Sequence, residues 1–211
     1  MAQDLTDALK ESLRQLGSEF KPNQLAYLSL TSKNEGPLCG ALAWSLHKGV
    51  AQEQELTIRR EYRNPELPRH PIDIAVLGDD RAEMLIEAKA AMAFDPLVKG
   101  SRVYPSKDVA ADANKLRKVD AADRRYVIAF FTIYDGLPHC KHHAAITYIE
   151  GMKRRPNAQD RFEREGLPSF REAVSRLDPS VERIDDGRIP AGKAFGIKVS
   201  VWYELMAVWN R

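Results

Sequence analysis

The sequence predicts a single α/β domain, with a mixed central sheet and flanking helices, and three observations carry that prediction. Residues 71–90, PIDIAVLGDDRAEMLIEAKA, read as two short strands joined by a polar turn. Residues 126–134, YVIAFFTIY, are nearly all apolar, as expected of a central strand buried on both faces. Leucine, valine and alanine stripes at helical spacing lie on either side of these segments. At 211 residues and 44% hydrophobic content, the chain is long enough for one such domain with a full core.

Taken in order, Leu5, Leu9, Leu13 and Leu16 form a helical stripe, with Asp4 or Thr6 as cap and Gly17 as stop. Residues 24–31 fit a short strand. Over residues 35–47, Leu38, Ala41, Leu42, Ser45 and Leu46 make the apolar face of a helix. Residues 54–62 set Leu56, Ile58 and Arg60 against Glu55, Thr57 and Arg59, a rough strand pattern. A loop with Pro65 and Pro68 leads to the hairpin. Beyond it, Ser106 is the expected cap of a helix striped by Val109, Ala113 and Leu116, and the buried strand follows. A helix is expected around 143–152 and polar helical pieces over 153–177, interrupted at Gly166-Leu167-Pro168. Phe195, Ile197, Val199, Val201, Tyr203 and Leu205 recur at period two and mark a closing strand.

The chemistry lies in the hairpin. Side chains two apart on a strand share a face, so Glu87 and Lys89 point the same way. Pairing Leu77 with Glu83 sets Asp73 opposite Glu87. Ile72, Ile74, Val76, Met84, Ile86 and Ala88 then form a core face, and the other face holds two acids and a lysine. Adjacent carboxylates repel unless a cation sits between them, and Mg²⁺ favours one or two protein carboxylates. A lysine beside such an ion can orient or help deprotonate water, or meet developing charge on phosphate. The plainer reading is a solvated cross-strand Asp–Lys pair. A second Glu-x-Lys, Glu19-Phe20-Lys21, has no acidic strand before it.

Pro71-Ile72-Asp73, a hairpin-sized gap and Glu87-Ala88-Lys89 resemble the signature of the PD-(D/E)xK nuclease superfamily, the fold of restriction endonucleases and many repair and phage nucleases. Ile72 departs from the pattern by separating the proline from the aspartate. The expected order helix–strand–strand–strand–helix–strand over residues 35–134 is similar to the restriction-endonuclease-like core. The resemblance implies a core at about residues 33–135 and a C-terminal elaboration over about 136–211. It implies an Mg²⁺- or Mn²⁺-dependent nuclease acting on DNA, with RNA left open. Asp73 and Glu87 would hold the metal, the Ala88 carbonyl would be a further ligand, and Lys89 would activate or position water. Glu35, at the start of the first core helix, is then a third acid, or else the end of a capping box from Ser32. The alternatives are a catalytically silent nucleic-acid-binding or assembly subunit, and a surface ion-pair network. A homodimer or larger complex stays open.

Other residues are weighed on the same footing. Glu61 lies among Arg59, Arg60 and Arg63, which reads as a surface ion-pair cluster or as phosphate-meeting arginines beside another acid. Asp112 and Lys115, three apart, read as a surface pair, while the resemblance lets Lys115 reach the cleft. His139-Cys140-Lys141-His142-His143 reads as loop and cap rather than a zinc site. The basic run from Lys153 to Arg171 alternates in sign, as on a solvated helix face or a nucleic-acid arm. Net charge is +2, from 32 basic and 30 acidic residues, so any positive surface must be local. Two distant cysteines, an acidic amphipathic start (MAQDLTDALKE) and the lack of a long apolar run lead to the expectation of a cytoplasmic protein outside any membrane. Phosphate-loop, dinucleotide-binding and serine-elbow motifs are absent from the sequence.

Overall fold

The computed structural model describes residues 4–67, 69–97, 104–120 and 122–210. The expectations for residues 1–3 and for Pro68 lie outside these. Among the described residues, β1 (Thr57–Tyr62), β2 (Ile72–Leu77), β3 (Ala82–Met92), β4 (Ala122–Tyr134), β5 (Val181–Ala194) and β6 (Ile197–Val208) form one sheet in the order β1-β2-β3-β4-β6-β5. β3 and β4 are parallel, joined across α4 (Ser106–Leu116), and the other pairs are antiparallel. The chain is thus a single α/β domain with a mixed sheet and flanking helices.

Helices cover both faces because both faces are apolar. α1 (Leu5–Gln15), α2 (Gln24–Thr31) and α3 (Glu35–Leu46) join Ile74, Val76, Met84, Ile86 and Ala88 in one core. α4 and α7 (Leu167–Leu177) join Ala75, Leu85 and Ala91 in the other. β4 feeds both, with Tyr126, Ile128 and Phe130 on one side and Val127, Ala129 and Phe131 on the other. The expectation of a central strand buried twice over is met. Phe131 anchors the second core, its ring 5.1 Å from those of both Phe162 and Phe170.

Several local expectations change. Residues 24–31 are helical, not extended: Leu25, Ala26, Ser29 and Leu30 share one helical face, and left-handed Asn23 (φ 65°) turns the chain into it. Pro105, not Ser106, occupies the cap of α4, and the Ser106 hydroxyl instead donates to the Phe170 carbonyl. The helix expected around 143–152 divides into a tight turn, Cys140–Ala145, and α5 (Ile149–Arg154). Gly166-Leu167-Pro168 marks a change of helical pitch, as a boundary between helical pieces, without a gap in the helical path. α6 (Ala158–Arg161) runs through the wide turn Phe162–Gly166 into α7, where Pro168 sits in the first turn and no backbone donor is needed. β5 had no sequence signal, since VERIDDGRIPAGKA is an edge strand largely open to water.

The β2–β3 register is what positions the site. Ile74 pairs with Ile86, Ala75 with Leu85 and Val76 with Met84, the expected register, which stops one residue short of Asp73 and Glu87. Leu77 pairs with Ala82 rather than Glu83, because a bulge after Val76 absorbs a residue at the turn.

Candidate active site

β2 and β3 part at the end that carries the acids. Their pairing ends at Ile74 and Ile86, while β2 continues beside β1 to Ile72 and β3 beside β4 to Met92. On a strand every second N–H points to the same side, so the β3 donors at 88, 90 and 92 turn toward the side β2 has left. Three carboxylates take them. Asp73 Oδ2 accepts from Ala88 at 2.7 Å, Glu35 Oε2 from Ala90 at 3.1 Å, and Asp95 Oδ2 from Met92 at 2.7 Å. Unsatisfied strand donors therefore draw acids together at one place.

Glu35 does not close a capping box. Asn34 holds the cap position of α3 with no side-chain bond there, the Ser32 hydroxyl bonds the Leu28 carbonyl, and Glu35 reaches across to β3. Lys33 pairs with it at 3.1 Å. The capping reading is set aside, and Glu35 stands on the same strand edge as Asp73.

Glu87 and Lys89 are covered by α4, where a solvated face was one expectation, and Asp73 is half-buried. Glu87 is only 1% exposed. The expected Asp112–Lys115 surface pair does not form, because Val109, Ala113 and Leu116 seat α4 on the sheet with its neighbouring polar positions facing the strands. Lys115 Nζ meets Glu87 Oε1 at 2.5 Å and donates to the Pro71 carbonyl at 2.8 Å. Asp112 Oδ2 meets Lys89 Nζ at 3.0 Å. These contacts lack hydrogen-bond alignment at the acids, so Glu87 Oε1 and Asp112 Oδ2 are buried polar atoms without a hydrogen-bond partner among the described residues.

The electrostatics follow from burial first. Burial, then Asp73, pushes Glu87 up to about 8, and Lys115 only partly offsets this. Burial also raises the Asp112 carboxyl, against the pull of Lys89. Burial disfavours the Lys89 charge, but Asp112, Glu35 and Asp73 outweigh it and hold the ammonium above the usual lysine range. Lys89 is therefore a firm cation at neutral pH.

Asp73 and Glu87 are the pair able to share a cation. Asp73, Glu35 and Asp95 are strung along the strand edge, and among the described residues no group of three His, Cys, Asp or Glu side chains is placed to hold one metal ion. A donor set of two carboxylates suits Mg²⁺ or Mn²⁺, which keep waters and substrate oxygens as other ligands, and suits zinc poorly. Glu87 Oε1 already faces the Lys115 ammonium, so a metal there would share that oxygen with Lys115 or displace it.

The remaining candidates spread outward. Arg59 and Glu61 are exposed on β1, at the sheet edge, and Glu61 is left-handed (φ 49°). Among the described residues no ion pair joins Glu61 to Arg59, Arg60 or Arg63, so the expected charge cluster does not form. Arg60 lies over α3, where an added Cβ at Gly40 would come within 3.1 Å of its guanidinium. His139 caps the tight turn by accepting from the Lys141 N–H at 3.3 Å. In the basic run, Lys153 pairs with Glu150, Arg161 with Glu165, and Arg171 with the buried Glu204.

Sequence reading missed a cavity of about 260 Å³ directly beyond the acids. It lies among α2, the turn before α3, and the ends of β3 and β4, and Ser29, Asn34, Ala90, Tyr104, Thr132 and Tyr148 line it. Its polar residues come from distant segments, so no local spacing could have revealed it. No protein-family model, curated protein or solved structure matches the chain.

Proposed function

We propose that the protein is a metal-dependent nuclease that hydrolyses phosphodiester bonds of DNA, with the helix–strand–strand–strand–helix–strand segment acting as a restriction-endonuclease-like core. One observation carries the reading: Asp73, Glu87 and Lys89 lie near one another where β2 and β3 separate, and burial, with Asp73 adding to it, pushes Glu87 up to about 8. A buried Glu87 beside the half-buried Asp73 is costly to folding, and Lys115 offsets only part of that cost, an offset that a shared metal cation would complete.

In this reading Asp73 and Glu87, with the Ala88 carbonyl, would hold Mg²⁺ or Mn²⁺, while Glu35 stays on the Ala90 N–H and Lys33. The metal would supply Lewis-acid stabilisation of charge on the phosphate. Asp73 is oriented by its bond to Ala88 N–H, which fixes the carboxylate without a second side chain. Lys89, held cationic by Asp112, orients the attacking water and meets the charge that develops on the phosphate oxygens. Its proton is held too tightly for it to serve as a general base near neutral pH. Lys115 keeps Glu87 in place through the Pro71 carbonyl, and Arg59 and Arg60 on β1 give the nucleic acid cationic contacts beside the acids.

A silent nucleic-acid-binding or assembly subunit is the second reading. The internal pairing of Glu87 with Lys115 and of Lys89 with Asp112 favours it, since each group already has a partner. Nicking of DNA in Mg²⁺ that disappears in EDTA and in Asp73→Asn separates the two. Binding without nicking would leave the silent subunit.

A further inference from the structure

The cavity beyond Ala90 has no part in holding a metal or a water, yet it adjoins the residues that would. We propose that it receives one unpaired nucleobase of the strand being cut, so that the substrate is single-stranded or frayed at that position; this rests on the nuclease reading above.

Four features converge. At about 260 Å³ the cavity lies below the usual range of small-molecule pockets, which starts near 300 Å³, so it takes one heterocycle rather than a larger ligand. Two aromatic rings, Tyr104 and Tyr148, stand in its wall, and base faces stack on such rings whatever their identity. The Tyr104 hydroxyl donates to the Ala90 carbonyl at 2.9 Å, which ties that ring to the strand carrying Lys89.

The third feature is a buried polar wall. Asn34, 4% exposed, donates from Nδ2 to Ser29 Oγ at 2.8 Å and to Thr132 Oγ1 at 3.2 Å. Both amide protons are thus committed, and Asn34 offers an incoming group its carbonyl oxygen, an acceptor suited to an exocyclic amine. Ser29 and Thr132, each using an oxygen lone pair for Asn34, offer hydroxyl donors to ring nitrogens and carbonyls. A purely apolar ligand would waste this wall.

The fourth feature is position. Ala90 lies three residues along β3 from Glu87, about 10 Å at about 3.3 Å per residue, within reach of the nucleotide next to a phosphate at the acids. Lys33, on the rim, is 55% exposed and pairs with Glu35, placing a cation between cavity and acids. A double helix cannot enter so small a space, and a duplex would have to unpair the base first, a cost that a single strand avoids.

The test uses the full chain carrying Lys89→Ala, so that binding is measured without cleavage. Fluorescence anisotropy in Mg²⁺ compares a labelled single strand, the blunt duplex of the same sequence, and a series of single strands each with one abasic position. The single strand should bind at least tenfold more tightly than the duplex. One abasic position should weaken binding about tenfold, as expected for loss of one stacked base, and Tyr148→Leu should level the series. The abasic series alters only the nucleic acid, so it stands even if a pocket variant misfolds. Equal affinity for strand and duplex with a flat series would overturn the proposal. Wild-type cleavage measured alongside keeps the two readings apart. Cleavage with a flat series removes the cavity's role alone, a dip in the series without cleavage removes the nuclease alone, and no binding removes both.

Discussion

Burial and the adjacent Asp73 push Glu87 up to about 8 from an ordinary 4.5, and this has a consequence for stability. The folded chain keeps the Glu87 proton until pH reaches about 8, whereas the unfolded chain releases it near 4.5. Between these values the folded state binds more protons, so this residue's contribution to stability falls as pH rises. In EDTA, Tm should therefore decline across that window. Glu87→Gln should flatten the decline and raise Tm near pH 8 by about 3 °C or more. Saturating Mg²⁺ should flatten it in the wild type, and a decline unchanged by Mg²⁺ would count against a shared cation. Lys89 carries a second expectation. Its removal leaves the mostly buried Asp112 without its ion-pair partner, with only the more distant Lys115 to offset its charge, so Lys89→Ala should cost about 1–3 kcal/mol in urea unfolding. Lys89→Ala/Asp112→Asn should recover most of that loss, since the two sites are coupled.

Among the elements, the hairpin was legible because both its periodicity and its register are local. Alternation of Ile74, Val76, Met84 and Ile86 against the polar positions is enough to set the register that brings Asp73 next to the end of the pairing with Glu87. The α1 and α4 stripes and the β4 run were legible for the same reason. α2 was not, because QLAYLSLT satisfies period two as well as a helical face, and packing on β5 and β6 decides it. Nor was the role of Asp112 and Lys115: spacing makes them partners, and only the seating of α4 on β3 turns each toward a different strand residue. The β3 edge donors that gather Asp73, Glu35 and Asp95 belong to backbone left unpaired by strand separation, which side-chain patterns do not report. A close approach elsewhere gives an element-scale expectation. A Cβ at Gly151 in α5 would collide with the Phe94 ring, which packs in the first core beside the cavity. Gly151→Ala should lower stability by about 1–3 kcal/mol, read by denaturant midpoint. An unchanged midpoint would mean that α5 moves freely against the sheet.

For the whole molecule, the candidate residues gather toward one end of the sheet. β1, β2, β3 and β4 bring Tyr62, Ile72, Met92 and Tyr134 to it, and the β5–β6 hairpin adds the facing pair Lys193 and Lys198. The acids, the cavity and these lysines thus lie along one rim, while two apolar cores fill the layers behind. A net charge of +2 does not report this arrangement, in which acids are buried or half-buried beside lysines while Lys193 and Lys198 are exposed. Among the described residues no helix is long and apolar enough to cross a membrane. The most direct measurement is cleavage of linear and circular DNA in EDTA, Mg²⁺ and Mn²⁺, for the wild type beside Asp73→Asn and Lys89→Ala. Metal-dependent cleavage, absent in EDTA and reduced at least a hundredfold in both folded variants, is the predicted result. Cleavage that persists in EDTA, or in both variants, would contradict the assignment of Asp73, Glu87 and Lys89.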